Sequence, residues 1–211
     1  MNSHIFKMVQ DATLLYVYAY SWTPGFCYNQ SYPGCLNPQE YWGNNFTIHG
    51  LWPQYSVSGY PSYCTTEPFD DEVPLQIGWD TMTELWPDVQ YNEDDPKYDS
   101  FWEHEWSKHG TCSGLTQTEY FGAGLNLTGV LLTPDVLHDS VGGEMSADGL
   151  RDALGGSEYV SLQCNSQMLT GAYTCWQEDV DGFPIKQTVC PAEVVSEDTC
   201  KKSDTITILG L

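Results

Sequence analysis

Twelve residues, "FWEHEWSKHGTC" from Phe101 to Cys112, hold His104, Glu105, Lys108 and His109. A second stretch, "FTIHGLWPQ" from Phe46 to Gln54, holds His49. The whole chain has only 7 lysines and arginines and 5 histidines against 29 acidic residues. Gathering scarce positive charge in one segment makes either a solvated surface or a site for an anion. Imidazoles beside a carboxylate and an ammonium can exchange protons with a bound group and stabilise negative charge on it.

The spacing predicts a helix over the first stretch, with Asp99 or Ser100 as its cap and Gly110 as its end. Setting His104 at zero, Lys108 falls at about 40°, Phe101 at about 60°, Glu105 at about 100° and His109 at about 140°. One face then carries all four ionisable groups and an aromatic ring. A zinc-protease pattern needs H-E-x-x-H, with its histidines about four residues apart. Here the spacing is one residue longer and Lys108 opposes a cation, so no metal is expected. Taken alone, the segment also fits a solvated helix face on which Glu105 pairs with His109. The second stretch adds an imidazole on a predicted strand. Alternation puts Thr47 and His49 on one side, and Phe46 and Ile48 on the other. His49 would then stand at the edge of a cleft, where Gly50 lets the backbone approach a neighbour or ligand.

The elements that must position these groups follow from the residue pattern. "LLYVYAYSW" reads as a buried first strand. The strand carrying His49 is expected to end at Gly50 or Pro53. "LQIGWDTMTELWPDV" predicts a short helix stopped by Pro87. "LTQTEYFGAGLNL" and "SADGLRDALGG" are helical, while "EYVSLQC", "AYTCWQEDV" and "FPIKQTVC" read as strands. The mixture predicts a single α+β domain over 1–211, with a central antiparallel sheet and helices packed around it. Residues 1–11 lack the layout of an intact signal peptide; they are expected to be disordered or the remnant of a truncated one.

Composition narrows the setting. The chain has 8 cysteines and no CxxC pair, so disulfides and an oxidising compartment are expected, either secreted or vacuolar-lysosomal. Sequons at Asn29, Asn45 and Asn126 agree with a glycoprotein. No apolar run of about 18 residues exists, so membrane insertion is not expected. A net charge of −22 repels polyanions at neutral pH and fits work at acid pH.

Together the two stretches resemble the signature segments of the ribonuclease T2 family. These are acid, transferase-type endoribonucleases that include the plant self-incompatibility ribonucleases. The resemblance implies an α+β fold with His49 on a strand and the second segment on a helix facing it. It implies single-stranded RNA as the partner, cut without metal or cofactor through a 2′,3′-cyclic phosphate to 3′-phosphate ends. A monomer is expected. His109 is similar to the general base that takes the ribose 2′-hydroxyl proton, and His49 to the general acid that protonates the leaving 5′-oxygen. His104 resembles a phosphate-binding histidine; Glu105 and Lys108 resemble residues that stabilise the five-coordinate phosphorus. Trp52 and Tyr60 resemble rings that sandwich the base 5′ to the cut. Phe101 resembles a ring at the second base site, where Asn92 is a further candidate. Gln54 stands where some relatives carry Asp, so no purine preference is carried over with it. The resemblance also implies bridges Cys64–Cys112, Cys175–Cys190 nested within Cys164–Cys200, and Cys27–Cys35. Two rival readings are a catalytically idle relative used for storage or binding, and a disulfide-rich extracellular binding module. Loss of a catalytic histidine would mark the first, and both His49 and His109 are present.

Overall fold

The computed structural model describes residues 13–200 and 204–211, so the amino-terminal stretch 1–11 lies outside the described residues. Among the described residues seven strands form one sheet: β1 (Leu14–Ser21), β2 (Thr47–Tyr55), β3 (Gly143–Ser146), β4 (Val160–Asn165), β5 (Met168–Glu178), β6 (Pro184–Thr188) and β7 (Thr205–Ile208). The order is β2-β1-β5-β7-β3, with β4 and β6 also pairing β5. Pairing is antiparallel throughout except between β5 and β7, which meet in parallel where Met168 faces Thr207. The helices are α1 (Thr23–Phe26), α2 (Pro33–Leu36), α3 (Glu72–Ile77), α4 (Trp79–Leu85), α5 (Ser100–Lys108), α6 (Gln117–Thr128), α7 (Asp135–His138), α8 (Ala147–Ala153) and α9 (Ala192–Ser196). Among the described residues no helix is long and apolar enough to cross a membrane.

Alternation along β1 divides the interior in two. Tyr16, Tyr18 and Tyr20 enter the main core with Trp22, Trp86, Trp102 and Trp106. Leu15 and Val17 point the other way, into a smaller cluster with Cys175, Cys190 and Val194. Each buried ring removes roughly 150–250 Å² from water, so the aromatic side chains carry much of the burial energy at about 25 cal/mol per Å².

β2 departs from the expected pattern at two points. It runs through Gly50 and Pro53 to Tyr55, because β2 lies at the edge of the sheet and pairs only with β1. A proline on an edge strand can turn its missing N–H side away from the ladder. The second point is a register shift: Gly50 faces Ala19 and Ile48 faces Tyr20, leaving His49 without a partner. This bulge breaks the simple alternation of Thr47 and His49. It lets Ile48 and Leu51, three positions apart, both enter the main core, and it re-aims the extra residue.

The predicted helix before Pro87 is divided in two at Gly78, which has φ 125°, a conformation only glycine adopts without strain. α5 forms as expected, but Asp99 has helical backbone angles and makes no side-chain capping bond. Its end is not a glycine in the left-handed region either. His109 closes α5 and Gly110 opens a short 3-10 turn through Cys112. A side chain at Gly110 would collide with Trp106. α6 has the firmer start, a capping box in which Thr116 and Glu119 satisfy each other's backbone N–H groups.

Four bridges tie the chain: Cys27–Cys35, Cys64–Cys112, Cys164–Cys200 and Cys175–Cys190. Cys64–Cys112 joins the loop after β2 to the turn that ends α5. Of the sequons, Asn29 and Asn126 are exposed, whereas Asn45 is half-buried and its Nδ2 donates to Tyr41 O at 3.0 Å.

The bridges should differ in worth because they close loops of different length. Cys64–Cys112 spans 48 residues and Cys27–Cys35 spans 8. Loop-closure entropy puts these at roughly 4 and roughly 2.5 kcal/mol. Paired Cys→Ser variants compared by denaturant unfolding should therefore show the larger loss for Cys64/Cys112. Equal losses would contradict the ordering.

Candidate active site

The site lies where α5 docks on β2. Two indoles build the joint. Trp102 of α5 donates through Nε1 to the carbonyl of Trp86 at 2.8 Å, and Trp86 donates to the carbonyl of His49 at 3.0 Å. One more side chain caps the open edge of β2: Tyr120 of α6 donates its hydroxyl to the carbonyl of Leu51 at 2.8 Å. Edge carbonyls that would otherwise seek water or another strand are thereby satisfied.

Across this joint Trp52 Nε1 donates to Glu105 Oε2 at 2.8 Å. Gly50 makes the approach possible. A Cβ there would overlap both Trp52 Nε1 and Glu105 Oε2. Glu105 is 1% exposed, and burial pushes its pKa up to about 8, against the opposing effects of the Trp52 bond and Lys108.

The same indole touches both candidate proton-transfer groups. His49 meets Trp52 edge-on at 5.4 Å between ring centres, and His109 stacks on Trp52 at 5.2 Å. Phe101 meets His49 edge-on at 5.3 Å. Burial, then the nearby His104 and Lys108, holds His49 down to about pKa 4. Burial, Lys108, His104 and His49 together hold His109 down to about 3. His104 is exposed yet lowered too, by partial burial and Lys108. His109 Nδ1 is buried and has no hydrogen-bond partner among the described residues. The cleft thus holds imidazoles whose charge is suppressed by burial and by their basic neighbours, with no carboxylate ion-paired to these basic groups among the described residues.

Recesses open on two sides of these groups. One is lined by Trp52, Gln54, Tyr60, Lys108 and His109, with Val194 and Glu197 from α9 and beyond it. The other is lined by His49, Phe101, His104 and Glu105, together with Asp88 and Gln90. The structure therefore brings together His49, His104, Glu105, Lys108 and His109 with Trp52, Tyr60, Gln54 and Phe101. Asn92 is not among them. It lines a separate hollow with Tyr91, Glu93 and Tyr98, because the chain after α4 turns through Gln90 beside the cleft and then leaves it. Gln90 and Asp88 occupy the place expected for Asn92. Asp88 directly follows Pro87 and Gln90 comes two residues later. Glu197 carried no sequence signal; α9 was not anticipated.

The chain is similar to a known group of proteins. The Ribonuclease T2 family model matches residues 13–184. The chain belongs to the ribonuclease T2 family. It is 32% identical over 189 residues to Ribonuclease 1 of Arabidopsis thaliana, covering 80% of this chain and 77% of that one. It is 30% identical over 198 residues to the intracellular ribonuclease LX of Solanum lycopersicum, covering 86% and 78%. A variant of RNase MC1 in complex with 5′-GMP superposes with TM-score 0.69 at 25% identity, over 93% of this chain and 100% of that one. The self-incompatibility-associated SF11-RNase of Nicotiana alata shares the fold, with TM-score 0.71 at 22% identity over 93% and 100%. As a member of the T2 family the protein is an endoribonuclease.

The shifted groups make stability depend on pH in opposite senses. Glu105 binds its proton more tightly folded than unfolded, so its stability contribution is full below about pH 4.5 and falls as pH rises toward about 8. His49 and His109 bind theirs less tightly folded, so stability is full above about pH 6.5 and falls as pH drops toward about 4 and about 3. Glu105→Gln keeps an acceptor for Trp52 and removes the first dependence. Its melting temperature relative to the parent should rise between about pH 5 and 8, at roughly 2–4 °C per kcal/mol for a chain of this size. A pH-independent offset in calorimetric scans would contradict the assignment.

Proposed function

We propose that this T2 ribonuclease cleaves single-stranded RNA by transesterification, without a metal, through a 2′,3′-cyclic phosphate that is hydrolysed to a 3′-phosphate. The observation that carries this reading is the convergence of His49, His104, Lys108 and His109 around one cleft with no carboxylate ion-paired to any of them among the described residues. His109 is the general base. It is neutral down to about pH 3 and its Nδ1 lacks a partner, so it can take the 2′-hydroxyl proton as the oxygen attacks phosphorus.

His49 is the general acid, and that role requires a charged imidazole. In the free protein its pKa is about 4, held down by burial and by repulsion from His104 and Lys108. A phosphodiester anion placed among these three groups reverses the repulsion and raises the pKa of His49 toward the working pH. Substrate binding thus charges the acid that will protonate the leaving 5′-oxygen. Lys108 and protonated His104 lie on the phosphate and stabilise the charge that grows on its free oxygens. Glu105, its carboxyl held by Trp52, sits where it can hydrogen-bond one of those oxygens while protonated.

The rings that enclose the cleft suit single-stranded rather than paired RNA, since an unstacked base can lie between Trp52 and Tyr60 at about 1–3 kcal/mol per base. The four bridges support a secreted or vacuolar setting, where disulfides persist. The acidic surface repels RNA less as carboxylates are neutralised.

Digestion of RNA followed by mass spectrometry tests the mechanism. Cleavage should persist in EDTA, spare DNA and yield 2′,3′-cyclic phosphate ends first. Activity should peak at mildly acid pH, falling at higher pH as His49 loses its proton in the complex. His49→Phe and His109→Phe should each lower kcat by at least about 10²-fold. His104→Phe should raise KM more than it lowers kcat. Metal-dependent cleavage, 5′-phosphate ends or equal attack on DNA would overturn the reading.

A further inference from the structure

The recess beside Trp52 and Tyr60 has polar walls. Gln54 is 6% exposed and its Nε2 donates to the carbonyl of Gly59 at 2.8 Å. A carbonyl can only accept, so the amide nitrogen must face Gly59. The remaining end of Gln54 is its oxygen, an acceptor. The loop that supplies Gly59 is in turn fixed to α9, because Gly59 N donates to Glu193 Oε2 at 2.7 Å. α9 is anchored beneath by Val194, packed with Val17 and the half-cystines 175 and 190. One residue past α9, Glu197 lines the same recess as Gln54, Tyr60 and Trp52. Its backbone carbonyl accepts from Gln163 Nε2 at 3.2 Å, while its carboxylate makes no hydrogen bond or ion pair among the described residues. Tyr173, which meets Trp52 edge-on at 5.3 Å, lies in the field of Glu197 and Glu105 together.

We propose that Glu197, acting with Gln54, reads the base 5′ to the cut and selects guanine. The inference rests on the ribonuclease reading above and adds a specificity residue to it. Among the polar side chains of the recess, Gln54 and Glu197 each offer an acceptor. Guanine presents two adjacent donors on its Watson–Crick edge, the ring N1–H and the exocyclic N2–H₂, which suit a carboxylate. Adenine and cytosine each set one amino donor beside a bare ring nitrogen, which would face an acceptor. Uracil flanks its single N3–H with two carbonyls, which would face the carboxylate. A site built from buried hydrogen-bonding groups rejects a base that leaves them unpaired.

The test compares GpU, ApU, CpU and UpU as substrates for the parent and for Glu197→Gln. The parent should cleave GpU with kcat/KM at least about tenfold above the other three. Glu197→Gln replaces one acceptor with a donor, so the GpU-to-ApU ratio should fall about tenfold. Its melting temperature should match the parent's, which separates lost recognition from lost structure. The same comparison is read without turnover from the binding of 3′-GMP, 3′-AMP and 3′-UMP by calorimetry. A parent preference for any other base, or a base ratio unchanged in Glu197→Gln in both assays, would overturn the proposal. Failure of the parent to cleave any of the four would count against the ribonuclease mechanism instead, and the nucleotide affinities would still decide the role of Glu197.

Discussion

The site depends on the contact between Glu105 and Trp52 above Gly50. A helix and an edge strand meet there with a buried carboxyl between them, and everything reactive in the protein is placed by that meeting. The contact is held from below by the succession Trp102 to Trp86 to the carbonyl of His49, and from the side by Tyr120 on Leu51. The end of α5 is fastened by Cys64–Cys112. These anchors hold His49 and His109 against one indole while the rest of the sheet serves as a rigid floor. Burying Glu105 and crowding basic groups both oppose folding, which is the expected condition of a site arranged for an absent charge.

That arrangement also answers how a chain of net charge −22 can act on a polyanion. The overall field is repulsive, so attraction must be local. In the proposed reading His104, Lys108 and His109 supply it along one helix, and His49 supplies it from the strand. Burial, Lys108 and neighbouring imidazoles lower the proton affinity of the histidines, so these are poised to gain charge when an anion arrives. Acid conditions serve both scales at once: they dilute the surface repulsion and ease protonation of the imidazoles.

Much of this was legible in the sequence because helical periodicity is strict. Residues 104, 105, 108 and 109 had to share a face once the segment was a helix, and the tyrosines at alternate positions of β1 had to share one side of the sheet. The less legible features arise from tertiary context. Nothing local announces a bulge at His49, since it reflects how β1 and β2 satisfy two hydrophobic faces at once. Pro53 looked like a stop because the sequence does not say that β2 is an edge. Gly78 looked like part of a helix because glycine is ambiguous until its φ is known. Asn92 lies in a separate hollow, because the direction of a loop leaving α4 depends on what it packs against. Glu197 lies some 90 residues beyond the catalytic helix in sequence, and only the fold brings it to the cleft.

The central claim is that the basic groups of the cleft have no carboxylate ion-paired to them among the described residues and gain protons when a phosphate binds. Isothermal titration of 3′-GMP into the protein near pH 6, repeated in buffers of different ionisation enthalpy, measures the protons exchanged on binding. The account predicts uptake of about one proton or more per nucleotide bound, because the phosphate raises the pKa values of His49 and His104. Binding with no proton exchange, or with proton release, would contradict it.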